Sequence, residues 1–254
     1  MRRHLLSALV AFVSLAGAAE RALGDGAPYD YVPTYSPAAM SWTGFYIGAH
    51  LGGTWGSSTA TGNTGVTLDD SWSYSPSGLV AGGTLGYNWQ LGPLLYGIEG
   101  DLGNLGLAGS GGYYTPFAYD ASTTTDADFY MTIRGRLGVL TNGWLLYVTG
   151  GYLGADTTVS VLEACEIFCT TPTVSASNSS FRNGWTIGGG LEMAIEGSSA
   201  WTAKVEYLYY DLGSISLTTP AGGSIGSNTW SVDTDGSIVR AGINYRFGGV
   251  TFGQ

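Results

Sequence analysis

The segment Val239-Arg240-Ala241-Gly242-Ile243-Asn244-Tyr245-Arg246-Phe247 constrains this chain more than any other. Its odd-numbered members are all apolar or aromatic; its even-numbered members are Arg, Gly, Asn and Arg. Successive side chains of a β-strand point to opposite faces, so this segment has one greasy face and one charged face. Soluble sheets turn charge to water and apolar residues to a core. Here the apolar faces form broad, aromatic-edged bands, and basic residues gather on the other face. That is the pattern of a transmembrane β-barrel, with lipid outside and a polar lumen inside.

Composition agrees. Charged residues make up 11% of the 254-residue chain, against roughly 25% in ordinary soluble domains. Forty-two glycines, 8 Trp and 17 Tyr suit a barrel wall. The formal net charge of −10 argues against nucleic-acid binding, which draws on basic patches to release counterions.

The N-terminus reads as an export signal over residues 1–18. Arg2, Arg3 and His4 precede an apolar run from Leu5 to Leu15, and Ala16-Gly17-Ala18 offers a cleavage site. The run is shorter than the about 20 residues a helical span needs. Residues 19–41, with Pro28, Pro33 and Pro37, read as an extended periplasmic lead-in. Beyond the signal the only basic residues are Arg21, Arg134, Arg136, Arg182, Lys204, Arg240 and Arg246.

Eight period-two segments follow, near residues 45–55, 79–91, 94–103, 127–140, 144–155, 182–195, 201–211 and 237–247. Phe45, Ile47, Leu51 and Trp55 share the outward face of the first; Tyr46, His50 and Thr54 face inward. Connections after the second, fourth and sixth are tight, with Gly92-Pro93, Asn142-Gly143 and Glu196-Gly197 as turn signals. The other four connections are long, about 56–78, 104–126, 156–181 and 213–236. Long structureless connections argue against a compact soluble domain. The expected fold is therefore all-β: an eight-stranded antiparallel up-and-down transmembrane barrel over residues 42–247, with short periplasmic turns, four long extracellular loops and a tail at 248–254. Trp42, Trp89, Trp144 and Trp201 lie at the short-turn end and Trp55 and Trp185 at the other, as indoles at membrane interfaces do.

Several blocks resemble one family. Ser41-Trp42-Thr43-Gly44-Phe45-Tyr46-Ile47-Gly48 is similar to the first-strand signature of the alphaproteobacterial outer-membrane immunogenic proteins, small OmpA-like barrels. Gly86-Tyr87-Asn88-Trp89-Gln90, Gly97-Ile98-Glu99-Gly100-Asp101, Arg134-Gly135-Arg136-Leu137-Gly138, Tyr147-Val148-Thr149-Gly150-Gly151 and Val205-Glu206-Tyr207-Leu208-Tyr209 match in the same order, as does the closing segment. The resemblance implies an outer-membrane structural or surface-antigen protein, some relatives being credited with haem binding or modest solute passage. It also implies a terminal aromatic read by the barrel-assembly machinery. Here that residue is Phe247, and seven residues follow it.

Eight strands enclose a space that side chains fill. The inward charges are Glu99, Asp101, Glu192 and Glu206 against Arg134, Arg136, Lys204, Arg240 and Arg246. Adjacency of strands predicts that Glu99 and Asp101 meet Arg136 and Arg134, and that Glu206 meets Arg240. A structural network is expected; a selective ion path is the other reading. The single histidine past the signal, His50, has no visible partner set and reads as a satisfied lumen histidine, not a catalyst. There is no Cys/His metal cluster, no phosphate loop, and no cofactor is expected. Cys165 and Cys169 sit in the third long loop; an exported protein favours a disulfide there, and a metal-binding pair is the alternative. Asp69, Asp70, Asp120, Asp126, Asp128, Glu163, Glu166, Asp233 and Asp235 make the loops acidic, suited to solvation or to divalent-cation bridging to lipopolysaccharide. The expected partners are outer-membrane lipid, the assembly machinery, and host or small-ligand contacts through the loops. The expected function is structural and non-enzymatic. A narrow porin or a haem-type receptor is the alternative.

Overall fold

The computed structural model describes residues 41–63, 70–114, 119–165, 173–196, 198, 200–221 and 227–247. The expected signal, the lead-in before Ser41, the tail and Cys169 lie outside them. Nine strand segments follow in order: β1 Gly44–Gly62, β2 Ser71–Tyr74, β3 Ser77–Leu91, β4 Leu94–Tyr114, β5 Tyr119–Thr141, β6 Trp144–Cys165, β7 Thr173–Ala194, β8 Trp201–Thr219 and β9 Asn228–Arg246. From β3 onward each pairs antiparallel with the next, and β1 closes the ring on β9 from Tyr46↔Arg246 to Gly62↔Trp230. β2 and β3 both pair with β1, at Ser58↔Tyr74 and Trp55↔Ser77. They are one wall strand interrupted at Ser75-Pro76, where the proline has no N–H to give the ladder. The wall is thus eight strands thick in circumference, with one of them broken.

Two of the tight turns follow their residues. Gly92 has φ 60°, and Asn142 and Gly143 have φ 48° and 83°, both positive as a type I′ hairpin requires.

Along the lower part of every strand the outward side chains are apolar. Leu51, Leu79, Leu85, Ile98, Val148 and Val205 are all exposed, Leu79 by 74%. So continuous an apolar exterior belongs against hydrocarbon. Its short-turn rim carries Phe45 against Tyr87 (4.7 Å), Trp89 stacked on Tyr96 (5.4 Å) and Trp201 against Tyr245 (5.1 Å). Its far rim carries Trp55, Phe129 and Trp185, the last 5.5 Å from Tyr209. Trp42 departs from the expectation: it is buried at the barrel mouth under the Arg246 guanidinium, 4.6 Å from its ring centre.

The long connections are the main correction. Most of residues 56–62, 104–114, 119–126, 156–165, 173–181, 213–219 and 228–236 are strand, so the ladders continue well above the far aromatic rim. Past that rim the faces exchange character. Ser57, Thr59 and Thr61 point out from β1 while Ala60 points in; Thr158 and Ser160 point out from β6 while Val159 and Val161 point in. Inside this collar Ala60, Trp72, Tyr74, Ala121, Val159, Val161, Leu217, Trp230 and Val232 form an apolar core, with Trp72 and Trp230 4.9 Å apart. Register shifts at Asn104/Leu107, Ala127/Tyr130 and Asp211/Ser214 mark the changeover, two of them served by Gly106 (φ 55°) and Gly213 (φ 65°).

Candidate functional site in the barrel lumen

Alternation on β4, β5, β7, β8 and β9 brings four carboxylates and four bases into the lower lumen, and all eight are buried. Cross-strand register sets Glu99 opposite Arg134 and Glu206 opposite Arg240. The pairing then spreads across the lumen beyond adjacent strands. Arg134 bonds Glu99, reaches Asp101 at 2.8 Å and reaches Glu206 at 2.9 Å. Arg136 meets Glu192 at 2.8 Å and Glu99 at 3.3 Å. Lys204 stands opposite Glu192 in register yet extends to Glu99 at 2.9 Å. Arg240 holds Asp101 at 2.8 Å and donates through Nε to Glu206 at 2.7 Å. The expected Glu99–Arg136, Asp101–Arg134 and Glu206–Arg240 contacts are all present within this larger lattice. Arg246 sits lower, at the mouth, donating to the Ser41 carbonyl at 3.1 Å and covering Trp42.

Neutral groups that sequence reasoning left unassigned complete the lattice. Tyr46 donates to Glu99 (2.8 Å), Tyr147 to Glu206 (3.0 Å) and Thr132 to Asp101 (2.7 Å). Both Tyr rings also face the Arg136 guanidinium, at 5.3 and 4.7 Å. Their inward parity was readable from the chain; their partners depend on register and reach. Multiple hydrogen bonds to each buried charge are what make such a cluster tolerable in a dry interior.

His50 has a full partner set, as a satisfied lumen histidine requires, though none of its partners was visible in the sequence. Arg240 Nη1 donates to Nε2 at 3.2 Å, so Nε2 is an acceptor and Nδ1 carries the proton. Nδ1 then donates to Thr84 Oγ1 (3.1 Å), whose hydroxyl donates to Asp101 (2.8 Å), and Tyr130 OH donates to Nε2 (2.6 Å). The imidazole is a neutral, fully hydrogen-bonded member of the lattice.

Apolar layers bound the lattice. Trp42, Leu95 and Leu145 lie on the short-turn side. Val80, Leu105, Leu107, Leu153, Leu208, Leu212 and Ile238 lie above. Higher still, Glu163, expected in a solvated loop, is fully buried and accepts from Trp230 Nε1, Thr219 (3.0 Å) and Asn228 (3.1 Å). Among the described residues no group of three or more His, Cys, Asp or Glu is placed to hold a metal ion. A groove of about 530 Å³, lined mostly by outward residues such as Leu51, Leu191, Val205 and Ile243, also borders His50 and Lys204 of the lattice.

The family model for the outer membrane protein beta-barrel domain matches residues 6–247. The chain is 30% identical over 223 residues to the 31 kDa outer-membrane immunogenic protein of Brucella melitensis, covering 85% of this chain and 88% of that one. It is 32% identical over 210 residues to the 22 kDa outer membrane protein of Rhizobium leguminosarum, covering 82% and 80%. Among solved structures, the outer membrane protein OprG of Pseudomonas aeruginosa superposes with a TM-score of 0.52 at 14% identity, covering 81% of this chain and 96% of that one, a likeness of fold.

Proposed function

The chain belongs to the outer membrane protein β-barrel family and lies in the outer membrane, and within that setting we propose a structural, non-enzymatic role. The barrel reinforces the envelope and carries a rigid collar at the cell surface. Its lumen is closed. The observation that carries this reading is the balanced lattice of Glu99, Asp101, Glu192 and Glu206 with Arg134, Arg136, Lys204 and Arg240, held between two apolar layers. An ion crossing it would have to displace several bonded charges at once, at a cost of several kcal/mol each. The names of the Brucella relatives support a surface-antigen role for the collar. The partners are the lipid and lipopolysaccharide against the apolar band, and the assembly machinery during insertion, with Phe247 as the aromatic it reads.

Purified protein in planar bilayers tests the closed lumen. No unitary conductance steps are expected. Stable, reproducible steps from protein that shows the folded mobility of an unboiled barrel would overturn the proposal.

A further inference from the structure

Above the lattice and its apolar cover, the lumen has a second polar level with a different charge balance. Below, four carboxylates answer four bases. Above, Arg182 enters from β7 and is only 6% exposed. Its Nη1 donates to Thr234 Oγ1 at 3.4 Å and its Nη2 to the Gly213 carbonyl. A guanidinium has five N–H donors, so most of its capacity is unused.

No carboxylate among the described residues lies within ion-pair distance of it. Burial, the largest influence, lowers its pKa, while the fields of Asp233 and Asp211 oppose that. Both of those aspartates stand on the outward face of the wall. Glu163 is too far to help. Arg182 pairs with Ala155 on β6, and Glu163 is eight residues further along that strand, about 26 Å at a rise of roughly 3.3 Å per residue.

Hydroxyls line the same level. Ser58 bonds Thr234 at 3.3 Å, and Tyr74 bonds Thr125 at 2.6 Å. Thr157 faces inward opposite Ser180, two residues from Arg182 on β7. It is 1% exposed, and its hydroxyl has no hydrogen-bond partner. A buried donor fork with spare N–H groups, an unengaged hydroxyl on the neighbouring strand, and no carboxylate in ion-pair distance among the described residues together suit an oxyanion.

The wall has a seam without a backbone ladder at this height. Among the described residues β2 pairs with β1 alone, and the upper part of β4, residues 109–114, with β5 alone. Pro76 packs on Gly109 and the Tyr74 ring on Gly111, so side-chain contact closes the seam where elsewhere a ladder does. Tyr74 belongs to both the seam and the hydroxyl level.

We propose that this upper level binds a small oxyanion, a carboxylate or phosphate group, held by Arg182 with Thr157 and Thr234 and admitted between β2 and β4. Calorimetric titration of the purified detergent-solubilised protein with inorganic phosphate, and separately with acetate, tests it. Saturable binding of at least one is expected, and Arg182→Met weakens it by about tenfold or more, the worth of a charge-assisted hydrogen bond. Thr157→Val, which keeps shape and charge, weakens it severalfold and serves if Arg182→Met fails to reach the folded gel mobility. Absence of heat with both anions overturns the proposal. So does undiminished binding by either folded variant.

Discussion

The lower and upper halves of the same strands follow opposite rules. On β6, Leu146 and Val148 face out while Tyr147 and Thr149 face in; a few residues on, Thr158 and Ser160 face out while Val159 and Val161 face in. On β6 the backbone alternation runs through without a break. What changes is the surroundings. Against hydrocarbon, an apolar side chain loses nothing by facing out, and polar groups must satisfy one another inside. In water the hydrophobic effect buries Trp72, Trp230 and Leu217 and leaves hydroxyls outside. Alternation therefore reports the strand, and its sign reports the solvent.

The largest effect is expected from the lower half. Arg134→Met takes one cationic partner from each of Glu99, Asp101 and Glu206, and removing one partner of a buried pair typically costs about 3–5 kcal/mol. Urea unfolding of the barrel in lipid vesicles is expected to show at least that loss; a loss under about 1 kcal/mol would mean the lattice is hydrated, since exposed pairs are worth no more. Next is Trp230→Ala, about 3–5 kcal/mol for a buried aromatic. Here the loss is expected in the collar alone: faster hydrogen exchange and proteolysis above the far aromatic rim, with the lower barrel unchanged. Equal loosening of both halves would make them one cooperative unit and erase the distinction drawn above.

Glu163→Leu leaves the Trp230, Thr219 and Asn228 donors without their acceptor, and is expected to cost about 1–3 kcal/mol of collar stability. A smaller, pH-dependent effect comes from Asp235. Burial raises its pKa, Asp211 and Asp233 add to the rise, and the Tyr209 hydrogen bond opposes it. The folded state then holds this proton more tightly than the unfolded chain. Its stabilising contribution is present below the unfolded pKa and is lost as pH rises through the folded one. Asp235→Asn is therefore expected to stabilise the collar at neutral pH and to make no difference below about pH 3.9. An equal gain at both pH values would contradict the cause given. Smallest of all is Ser160→Ala, which removes an exposed 3.0 Å hydroxyl pair with Ser177 and is expected to stay within about 0.5 kcal/mol.

The lower half was legible because its residues are of two sharply different kinds. Val239 to Phe247 admits one reading: lipid on the odd side, lumen on the even. The collar was not, though its alternation is equally regular. Thr158-Val159-Ser160-Val161-Leu162-Glu163 is a period-two strand, but a search for apolar residues facing out passes over it as a polar loop. Glu163 then looked like solvated charge. Its burial depends on Thr219 and Asn228 arriving from β8 and β9, residues far away in the chain. His50 seemed partnerless for the same reason, because Thr84, Tyr130 and Arg240 come from three other strands. Pro76, inside the stretch read as the first long connection, is where β2 and β3 part.

By itself the sequence determined the strand period, the inward parity of every lattice residue, the tight turns at Gly92 and Asn142-Gly143, and the membrane band. These are local properties, set by side-chain type and by backbone preferences over a few residues. The contacts that cross the lumen beyond neighbouring strands, where the lumen turns apolar, and that Arg182 stands apart from the balanced lattice were decided only in the closed barrel. Register and reach across the lumen govern those contacts, and neither exists until the ring closes between β1 and β9.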